Sequence, residues 1–486
     1  MVIREYLNLV AEMIVSDAET NNQEPVDQNI EDELTQKGAL TTESQSNLQV
    51  PKPETPLGRQ PKINSRSIIT EDLGWTGGQY SLWRAALGAM FMGHFLWLWP
   101  ARGQLAMLRD LEDLPDNPLF MVFPNFLTWY PSPTIAGACL LLAVGLSGLL
   151  AVGWGDKAAA VGVWYVWACC YVQQPNLLGS SWPFLGWLLL AHVCVPAAPF
   201  GSWAARGRVD PRGGWKMPPG VYAAAWVVMS ATFAYQAWIR WELFTNSPQV
   251  SLLNWPTQRL IRAGPLTALG EMFTPGVLNL LMCVTWGVEA SFALFALFRM
   301  VRPWLWTIAV ALQLLTILFF DTGFLGWAYL LLLGFTFNPA WLPGVGLNAE
   351  EPTFDRIYYD GGCGLCHRTI RWILSEDRAG SIFRLAPLDS ESFRSRTTEA
   401  QRGELPDSVI VIPAEGPLLS RSAAVLRILL RLGGYWRMMG WLGSVMPRAL
   451  LDVPYNLIAR VRHRLFRKPS TACPILPPDL RERFEY

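Results

Sequence analysis

The stretch DGGCGLCHR, Asp360 to Arg368, holds the residues of this chain best suited to chemistry. Two residues separate Cys363 from Cys366, and on the first turn of a helix this spacing lets two sulfurs approach disulfide distance. Unpaired N–H groups and the positive dipole end at a helix amino terminus stabilise a thiolate. We therefore predict that Cys363, nearer that terminus and the solvent, attacks a substrate, and that Cys366 resolves the mixed disulfide.

Other interpretations of the motif stay open at this point. Cys-x-x-Cys followed by His367 is also the attachment pattern of a c-type haem, for which the chain offers the distal ligands Met438, Met439 and Met446. A structural zinc site would need a second, closely spaced ligand pair. The two cysteines could also be packed without catalysis. Asp360 is either a turn or cap residue, or a group that tunes the site or takes part in proton transfer.

The segments around the motif predict a small α/β domain. RIYY and SIFRLAPL are predicted strands, and HRTIRWILSED between them is a predicted helix with an apolar stripe of Ile370, Ile373 and Leu374. SVIVIP and PLLS predict a buried strand with a hairpin partner, and SAAVLRILLRLGG a helix that ends at a Gly pair. This order is thioredoxin-like and favours a redox dithiol over haem or zinc. Pro406 precedes a buried strand, as the cis-proline facing the dithiol does in thioredoxins.

This part of the chain resembles the DCC family of thiol-disulfide oxidoreductases. The resemblance covers most of residues 355–486 and rests on YYDGGCGLCHR, RLAPLDSE, SRSAAVLRILLRLGGYW, VMPRALLDVPYNLIARVRHRLF and CPILPPDLRERF. It implies that Cys363 and Cys366 are the redox pair and that Asp360 is the acidic residue before them. Cys473 falls where family members often have a late cysteine, either a packed residue or a third redox thiol.

Composition divides the chain into three regions. Residues 1–75 are rich in polar residues and are predicted to form a disordered tail, residues 76–347 are strongly apolar, and residues 353–486 form the α/β domain. Of 24 Trp residues, 21 lie between Trp75 and Trp341, a distribution typical of membrane interfaces. The formal net charge is zero and no region is strongly basic, so no nucleic-acid partner is predicted.

Long apolar runs predict about eight membrane-spanning helices, each of which needs about 20 residues. The runs are 80–99, 134–153, 158–173, 182–198, 219–238, 277–298, 303–320 and 324–338. Glu289 lies in the middle of the sixth run, so it must be paired, neutral or facing a polar cavity, and it is a functional candidate. Arg84 and Asp321 lie near predicted helix ends and are expected to snorkel or pair with a neighbour.

The distribution of Lys and Arg predicts the orientation in the membrane. Short connections on one face carry Lys157, a basic cluster in 206–216, and then Arg299 and Arg302, whereas short connections on the other face carry none. The amino terminus is therefore predicted to be inside, and an even number of spans puts the carboxyl-terminal domain inside as well. We expect an integral protein of the cell (inner) membrane whose redox domain is cytoplasmic.

Residues 80–345 resemble the horizontally transferred transmembrane (HTTM) family, which is related to the membrane part of vitamin K-dependent gamma-carboxylase. The resemblance rests on WRAALGAMFMGHFLWL, QQPNLLGSSWPFLGWLLLAHVCVPAAPFGSW and TWGVEASFALF. The large non-membrane domain of the carboxylase has no counterpart in this chain, so carboxylation is not predicted.

The predicted fold is a multi-pass α-helical membrane bundle followed by a thioredoxin-like domain. The predicted activity is thiol-disulfide exchange with an unknown protein or small molecule, in a reducing compartment and with no cofactor beyond the dithiol. A quinone or lipid bound by the helices could exchange electrons with the dithiol. The alternative is a transporter or lipid-binding module with the dithiol as a redox sensor. Arg460–Lys468 is expected to be a solvated face or to contact anionic lipids, and GYWRMMGWLGSVMP an interfacial or packed helix.

Overall fold

The computed structural model of the protein describes residues 73–107, 123–174, 183–246, 274–296, 298–319, 323–344, 354–406, 408–465 and 476–485. The predicted tail lies outside these ranges except for its last three residues. Two of these, Leu73 and Trp75, are buried, and the Trp75 indole donates a hydrogen bond to the Phe337 carbonyl at 3.1 Å. The tail was therefore predicted to end too late, because a lone Trp after a polar stretch carries no periodic signal.

The helical region, residues 73–344, contains the helices α1 to α10. They are α1 Gly77–Leu98, α2 Arg102–Leu105, α3 Phe126–Trp129, α4 Pro133–Val152, α5 Asp156–Gln173, α6 Pro183–Cys194, α7 Pro219–Asn246, α8 Pro275–Phe295, α9 Arg302–Phe319 and α10 Gly323–Thr336. Each of the eight apolar runs overlaps one of the longer helices, so the prediction of a helix in each run is confirmed. In the run 182–198 the helix ends at Cys194.

Local capping explains where α1 starts and where α4 stops. α1 begins after Thr76, whose hydroxyl accepts the Gln79 N–H at 3.3 Å, a typical N-cap. α4 ends at Gly153, whose φ of 78° is left-handed and therefore suits glycine. The Gly153 N–H donates to the Leu149 carbonyl at 2.9 Å, which closes the end of the helix.

Fewer of the described helices meet the length and hydropathy expected of a membrane span than were predicted to do so. Among the described residues, one helix, α4, is long and apolar enough to cross a membrane, with 20 residues and a mean hydropathy of 2.4. Shorter apolar segments occur at Phe184–Cys194, Cys283–Phe295, Arg302–Leu318 and Gly323–Thr336. The chain is therefore a mostly helical protein with a small carboxyl-terminal sheet domain, and the multi-pass bundle stays a prediction.

The carboxyl-terminal domain, residues 354–485, alternates strands and helices. They are β1 Asp355–Tyr359, α11 Gly364–Glu376, β2 Phe383–Pro387, α12 Glu391–Arg396, α13 Glu399–Glu404, β3 Ile410–Ile412, β4 Leu419–Ser420, α14 Arg421–Leu432, α15 Gly434–Val445, α16 Arg448–Leu465 and α17 Pro478–Arg481. The sheet order is β2-β1-β3-β4, with β1 parallel to β2 and antiparallel to β3. The strands and the helix after the motif were all predicted correctly.

The alternating side chains of β1 separate two apolar cores. Ile357 and Tyr359 face α11 and α14, where they pack with Ile370 and Ile428, whereas Tyr358 faces Phe393 on the other side of the sheet. This is the period-2 alternation expected of a strand buried on both faces. Because the α11 side of the sheet is covered, the start of α11 is held above the end of β1.

The carboxyl-terminal domain packs against the helical region near the starts of α1 and α15. Gly434 donates its N–H to the Leu342 carbonyl at 2.8 Å, and Tyr435 bonds the Gly334 carbonyl. At Gly433, where φ is 79°, an added Cβ would lie 2.8 Å from the Gly344 amide. Glycine is needed here, because both the φ angle and the close backbone approach exclude a side chain.

Candidate functional site

Cys363 stands at the amino-terminal end of α11, as predicted. It is the N-cap residue, with φ −101° and ψ 119°, because the turn after β1 brings the chain into the helix only at Gly364. The Cys363 Sγ accepts the Cys366 backbone N–H at 3.4 Å. A thiolate at this position would meet unpaired helix N–H groups and the positive end of the helix dipole. Both thiols are free.

The exposure of the two cysteines is the reverse of the prediction. Cys363 is 1% exposed, whereas Cys366 is partly exposed and lines a cavity. The physical reason is the cap geometry, which turns the Cys363 sulfur back over the first turn of α11 instead of outward. The expectation that Cys363 lies nearer the solvent is wrong, although its place nearer the helix terminus is correct.

The electrostatic environment of Cys366 fits the predicted division of roles. Burial raises the pKa of Cys366 to about 12, and its hydrogen bond with Cys363 acts in the same direction. A thiol with such a pKa is protonated at neutral pH and is a poor nucleophile until a base removes its proton. Cys366 is therefore better suited to the resolving step than to the first attack.

Asp360 holds the turn at the start of the motif and its charge acts on Cys366, whereas its part in proton transfer stays a prediction. Its Oδ1 accepts the Gly362 N–H at 2.7 Å, which forms an Asx turn at the start of the motif. Its Oδ2 lies 3.6 Å from Nη2 of Arg462. The Asp360 carboxylate raises the pKa of Cys366 and the Arg462 guanidinium lowers it, each by less than burial does.

Arg462 is a residue of the site that the sequence analysis missed. It belongs to the basic segment Arg460–Lys468, which was expected to be a solvated face or a lipid contact, but its side chain is 4% exposed. The expectation fails at this position because α16 packs across the dithiol and turns Arg462 inward. The cue in the sequence would have been helical phase, since Tyr455, Ile458 and Arg462 recur at i, i+3 and i+7.

His367, which opened the haem interpretation, makes a local contact. Its Nε2 lies 2.9 Å from the Gly361 carbonyl oxygen, and its ring packs edge-on against Tyr359 with 5.9 Å between centroids. His367 thus ties the glycine-rich turn to both β1 and α11.

A cavity of about 110 Å³ opens beside the Cys366 sulfur. Its walls come from β1, α11, α14, α16 and Val409 just before β3, and they are mostly apolar. Tyr455 of α16 accepts the Val409 N–H at 3.1 Å, which fixes α16 over the strand, and burial raises the pKa of Tyr455. The cavity can accept an apolar group next to a substrate disulfide.

The opposite end of α11 carries a second feature that the sequence analysis missed. Glu376 is buried, and its carboxylate accepts the Gly78 N–H at 3.1 Å, the Trp436 indole N–H at 2.6 Å and the Thr76 hydroxyl. It therefore occupies the amino-terminal end of α1, where the helix dipole favours a negative charge. Burial raises the pKa of Glu376. An acidic residue in the last turn of a helix is unfavourable. The position of Glu376 near the end of the predicted helix was therefore the sequence signal that it needs a partner outside that helix.

The remaining predicted site residues lie away from the dithiol cavity or outside the residues that the structure describes. Pro406 is half-buried, and its preceding peptide bond is trans, as are all described ones, in contrast to the proline of thioredoxins. Glu289 is 6% exposed in α8 and does not line the cavity. Cys473 lies outside the described residues.

Four ionisable side chains meet in the interior of the helical region. Arg84 lies 3.4 Å from Asp156, the same carboxylate lies 3.4 Å from His192, and the Tyr80 hydroxyl lies 2.7 Å from His192 Nδ1. Arg84 is thus paired, one of its two expected states, and buried rather than snorkelling. Asp321 lies outside the described residues.

Comparisons with known proteins concern the carboxyl-terminal domain. Residues 357–468 match the family described as DCC1-like thiol-disulfide oxidoreductase. A Bacillus subtilis (strain 168) protein named "Uncharacterized protein YuxK" is 29% identical over 132 residues, which is 26% of this chain and 91% of that protein. No solved structure matches the chain. The HTTM resemblance of the helical region stays a prediction. The dithiol region, residues 357–468, is thus similar to DCC1-like thiol-disulfide oxidoreductases, which supports a thiol-disulfide redox role.

Proposed function

We propose that the protein is an integral membrane thiol-disulfide oxidoreductase in which Cys363 attacks the substrate and Cys366 resolves the intermediate. The observation that carries this proposal is the capped position of Cys363, whose sulfur accepts the Cys366 N–H at 3.4 Å at the start of α11. The high pKa of Cys366, about 12, supports the same division of roles, because only the thiolate form attacks a disulfide.

The proposed reaction reduces a substrate disulfide by two electrons. The Cys363 thiolate attacks one substrate sulfur, so that a mixed disulfide forms while the substrate S–S bond breaks and the other sulfur leaves as a thiolate. Cys366 gives up its proton to that thiolate and attacks the Cys363 sulfur, which closes the Cys363–Cys366 disulfide. The second substrate sulfur leaves and takes a proton from solvent. Two external thiols later reduce the enzyme disulfide and are themselves joined in a disulfide.

Access to Cys363 requires a local movement in this proposal, since its side chain is buried. Gly361 and Gly362 precede it in an exposed turn, and an added Cβ at Gly361 would meet only Pro387, at 3.9 Å. A turn of two glycines can change conformation at low cost. We propose that this turn shifts when a substrate places its apolar group in the cavity beside Cys366.

Trapping the mixed disulfide tests the division of roles. Purified full-length Cys366→Ser, treated with an aromatic disulfide, should hold one substrate thiol on Cys363, detected by mass spectrometry, because no resolving thiol is present. Cys363→Ser should neither turn over nor hold an adduct at Cys366. Cys194→Ser, which removes an exposed thiol of the helical region, is the matched control and should behave as the wild type. Turnover that survives the loss of Cys363 would overturn the proposal.

Two observations support the proposal that the protein is held in a membrane with its redox domain in the cytoplasm. One is the length and hydropathy of α4. The other is that the redox domain contacts the basic loop 206–216, which the distribution of Lys and Arg predicts to be inside. In that loop Arg212 pairs with Asp479 at 2.6 Å, and the Trp215 carbonyl accepts from Arg378 at 2.8 Å. The proposed cytoplasmic orientation is tested with Ser395→Cys, an exposed position. A membrane-impermeant thiol reagent should label it only after cells are permeabilised, and labelling in intact cells would reject the orientation.

A second candidate function is a redox sensor attached to a transporter or lipid-binding module. The observation that favours it is the position of Glu376, because α11 carries the dithiol at one end and contacts the start of α1 at the other. Cys363→Ser separates the candidates. Loss of all disulfide exchange while transport or lipid binding persists would favour the sensor.

A further inference from the structure

One surface of the carboxyl-terminal domain exposes a row of large apolar side chains. It lies on α15 and α16 and is called here the apolar face. Its members, all of them exposed, are Trp441, Leu442, Val445, Met446, Leu450, Val453 and Leu457. A concentration of exposed large apolar side chains on two consecutive helices marks an interaction site on a folded protein.

The opposite sides of the same helices are packed, so the apolar face has a definite direction. An added Cβ at Gly440 would lie 3.0 Å from the Leu430 side chain, which shows that α15 sits directly on α14. On α16, Tyr455 and Arg462 face the dithiol cavity. Leu450, Val453 and Leu457, at i, i+3 and i+7, therefore form a stripe that points away from the domain core.

The charge around the apolar face is strongly positive. Residues 434–465 contain five arginines and one acid, Asp452. The acid is engaged by the domain itself, because its carboxylate accepts the Ser422 hydroxyl at 2.5 Å. Arg448, Arg460 and Arg464 are exposed. An apolar stripe with arginines beside it and a Trp at its edge is the pattern of a helix that lies in a membrane interface.

We propose that the apolar face lies on a bilayer that contains anionic lipids, with its apolar side chains among the acyl chains and Arg448, Arg460 and Arg464 at the phosphates. A second copy of the chain fits this surface less well, because the arginines would then face each other. Lipid phosphates instead complement them, because basic residues near the surface are attracted to anionic lipids.

The proposal has a consequence for the dithiol. Ile458 is 51% exposed next to the apolar face and also lines the cavity beside Cys366. The cavity thus opens close to the lipid surface, and a substrate dissolved in or attached to that surface can reach it. This consequence does not depend on which cysteine attacks first.

Photocrosslinking on the full chain tests the proposal. The purified protein carries p-benzoylphenylalanine in place of Leu457 or Leu442 and is reconstituted in vesicles of phosphatidylcholine and phosphatidylglycerol. The matched control carries the same probe in place of Glu399, which is exposed on α13. Illumination should give lipid adducts at Leu457 and Leu442 and none at Glu399, as read by mass spectrometry. Crosslinks from Leu457 to a second copy, or no lipid adduct at either test position, would overturn the proposal.

The lipid composition separates anionic attraction from simple contact with hydrocarbon. In vesicles of phosphatidylcholine alone, the adduct yield at Leu457 should fall, and Arg460→Gln with Arg464→Gln should lower it in the mixed vesicles as well. An unchanged yield in both experiments would show that the arginines do not bind lipid phosphates and would reject that part of the proposal. Disulfide exchange in detergent is measured in parallel, so that failure of the redox function is recognised separately.

Discussion

The helical region and the carboxyl-terminal domain differ in how far their large apolar side chains are exposed. On the helices, large apolar residues also cover the outside, as with Leu142 at 59% and Trp304 at 74% exposed. In the sheet of the carboxyl-terminal domain, Ile357 and Val411 are both 0% exposed. The proposed place of the helical region in a membrane would account for this difference, since apolar surface is stable when it faces lipid and costly when it faces water.

The apolar face of α15 and α16 is the exception within the carboxyl-terminal domain. It resembles the helical region in exposure, although it belongs to the domain that carries the dithiol. Exposed apolar surface therefore does not follow the boundary between the two regions. Four predictions test this comparison.

The largest effect is expected in the sheet domain, at Asp355. This residue is 0% exposed and lies 2.7 Å from Arg427 and 3.5 Å from Arg431. Asp355→Ala leaves two arginines without their counter-charge, and breaking such a pair costs about 3–5 kcal/mol. Hydrogen exchange of the β1 amides in the full chain should accelerate accordingly. Asp355→Asn keeps a hydrogen-bond acceptor and should lose less stability. Equal losses of stability in the two variants would argue against the loss of charge as the cause.

The next largest effect is expected on the exposed apolar surface of the helical region. Leu142→Arg places a charge in the middle of α4, at a cost of about 2.5–3.5 kcal/mol if the helix spans a bilayer. Less protein should then remain in the membrane fraction after an alkaline carbonate wash. Ser395→Arg, on the exposed surface of the carboxyl-terminal domain, is the control and should not change that fraction. If Leu142→Arg also has no effect, α4 does not face hydrocarbon.

A smaller, pH-dependent effect is expected where the two regions meet, at Glu376. Burial raises its pKa above the ordinary value of 4.5, so the unfolded chain releases the proton first as the pH rises. Folded stability is therefore full below about pH 4.5 and falls as the pH rises through the folded pKa, by about 1.4 kcal/mol for each unit of the pKa shift. Glu376→Gln removes the titration. Its Tm relative to the wild type should rise between pH 4.5 and pH 8, and a constant difference would contradict the assignment.

The smallest effect is expected on the polar surface of the carboxyl-terminal domain. Arg356 and Glu485 form a pair at 3.0 Å, and each side chain is 26% exposed. Solvent screens such a pair, so Glu485→Gln should cost at most about 1 kcal/mol. Chemical denaturation of the full chain measures this, with Asp355→Ala as the reference. A loss as large as that of Asp355→Ala would show that the contact between Glu485 and β1 is more than a surface ion pair.

Much of the fold could be predicted because its signals are local. RIYY and SVIVIP are short β-branched or aromatic runs, and the stripe of Ile370, Ile373 and Leu374 has helical period. The apolar runs of the helical region likewise became helices, since their length alone excludes strands. Whether those helices cross a membrane could not be decided in the same way, because helix formation and membrane insertion depend on different properties.

Local sequence signals are enough to put two cysteines at the start of a helix after a strand, with Asp360 before them. The burial of Cys363, the contact of Arg462 with Asp360 and the position of Glu376 at the start of α1 depend on how the elements pack. The last contact joins residues about 300 positions apart, and no local period encodes such a pair. Which side chain is exposed and which is paired depends on how elements pack, and packing is a property of the whole chain.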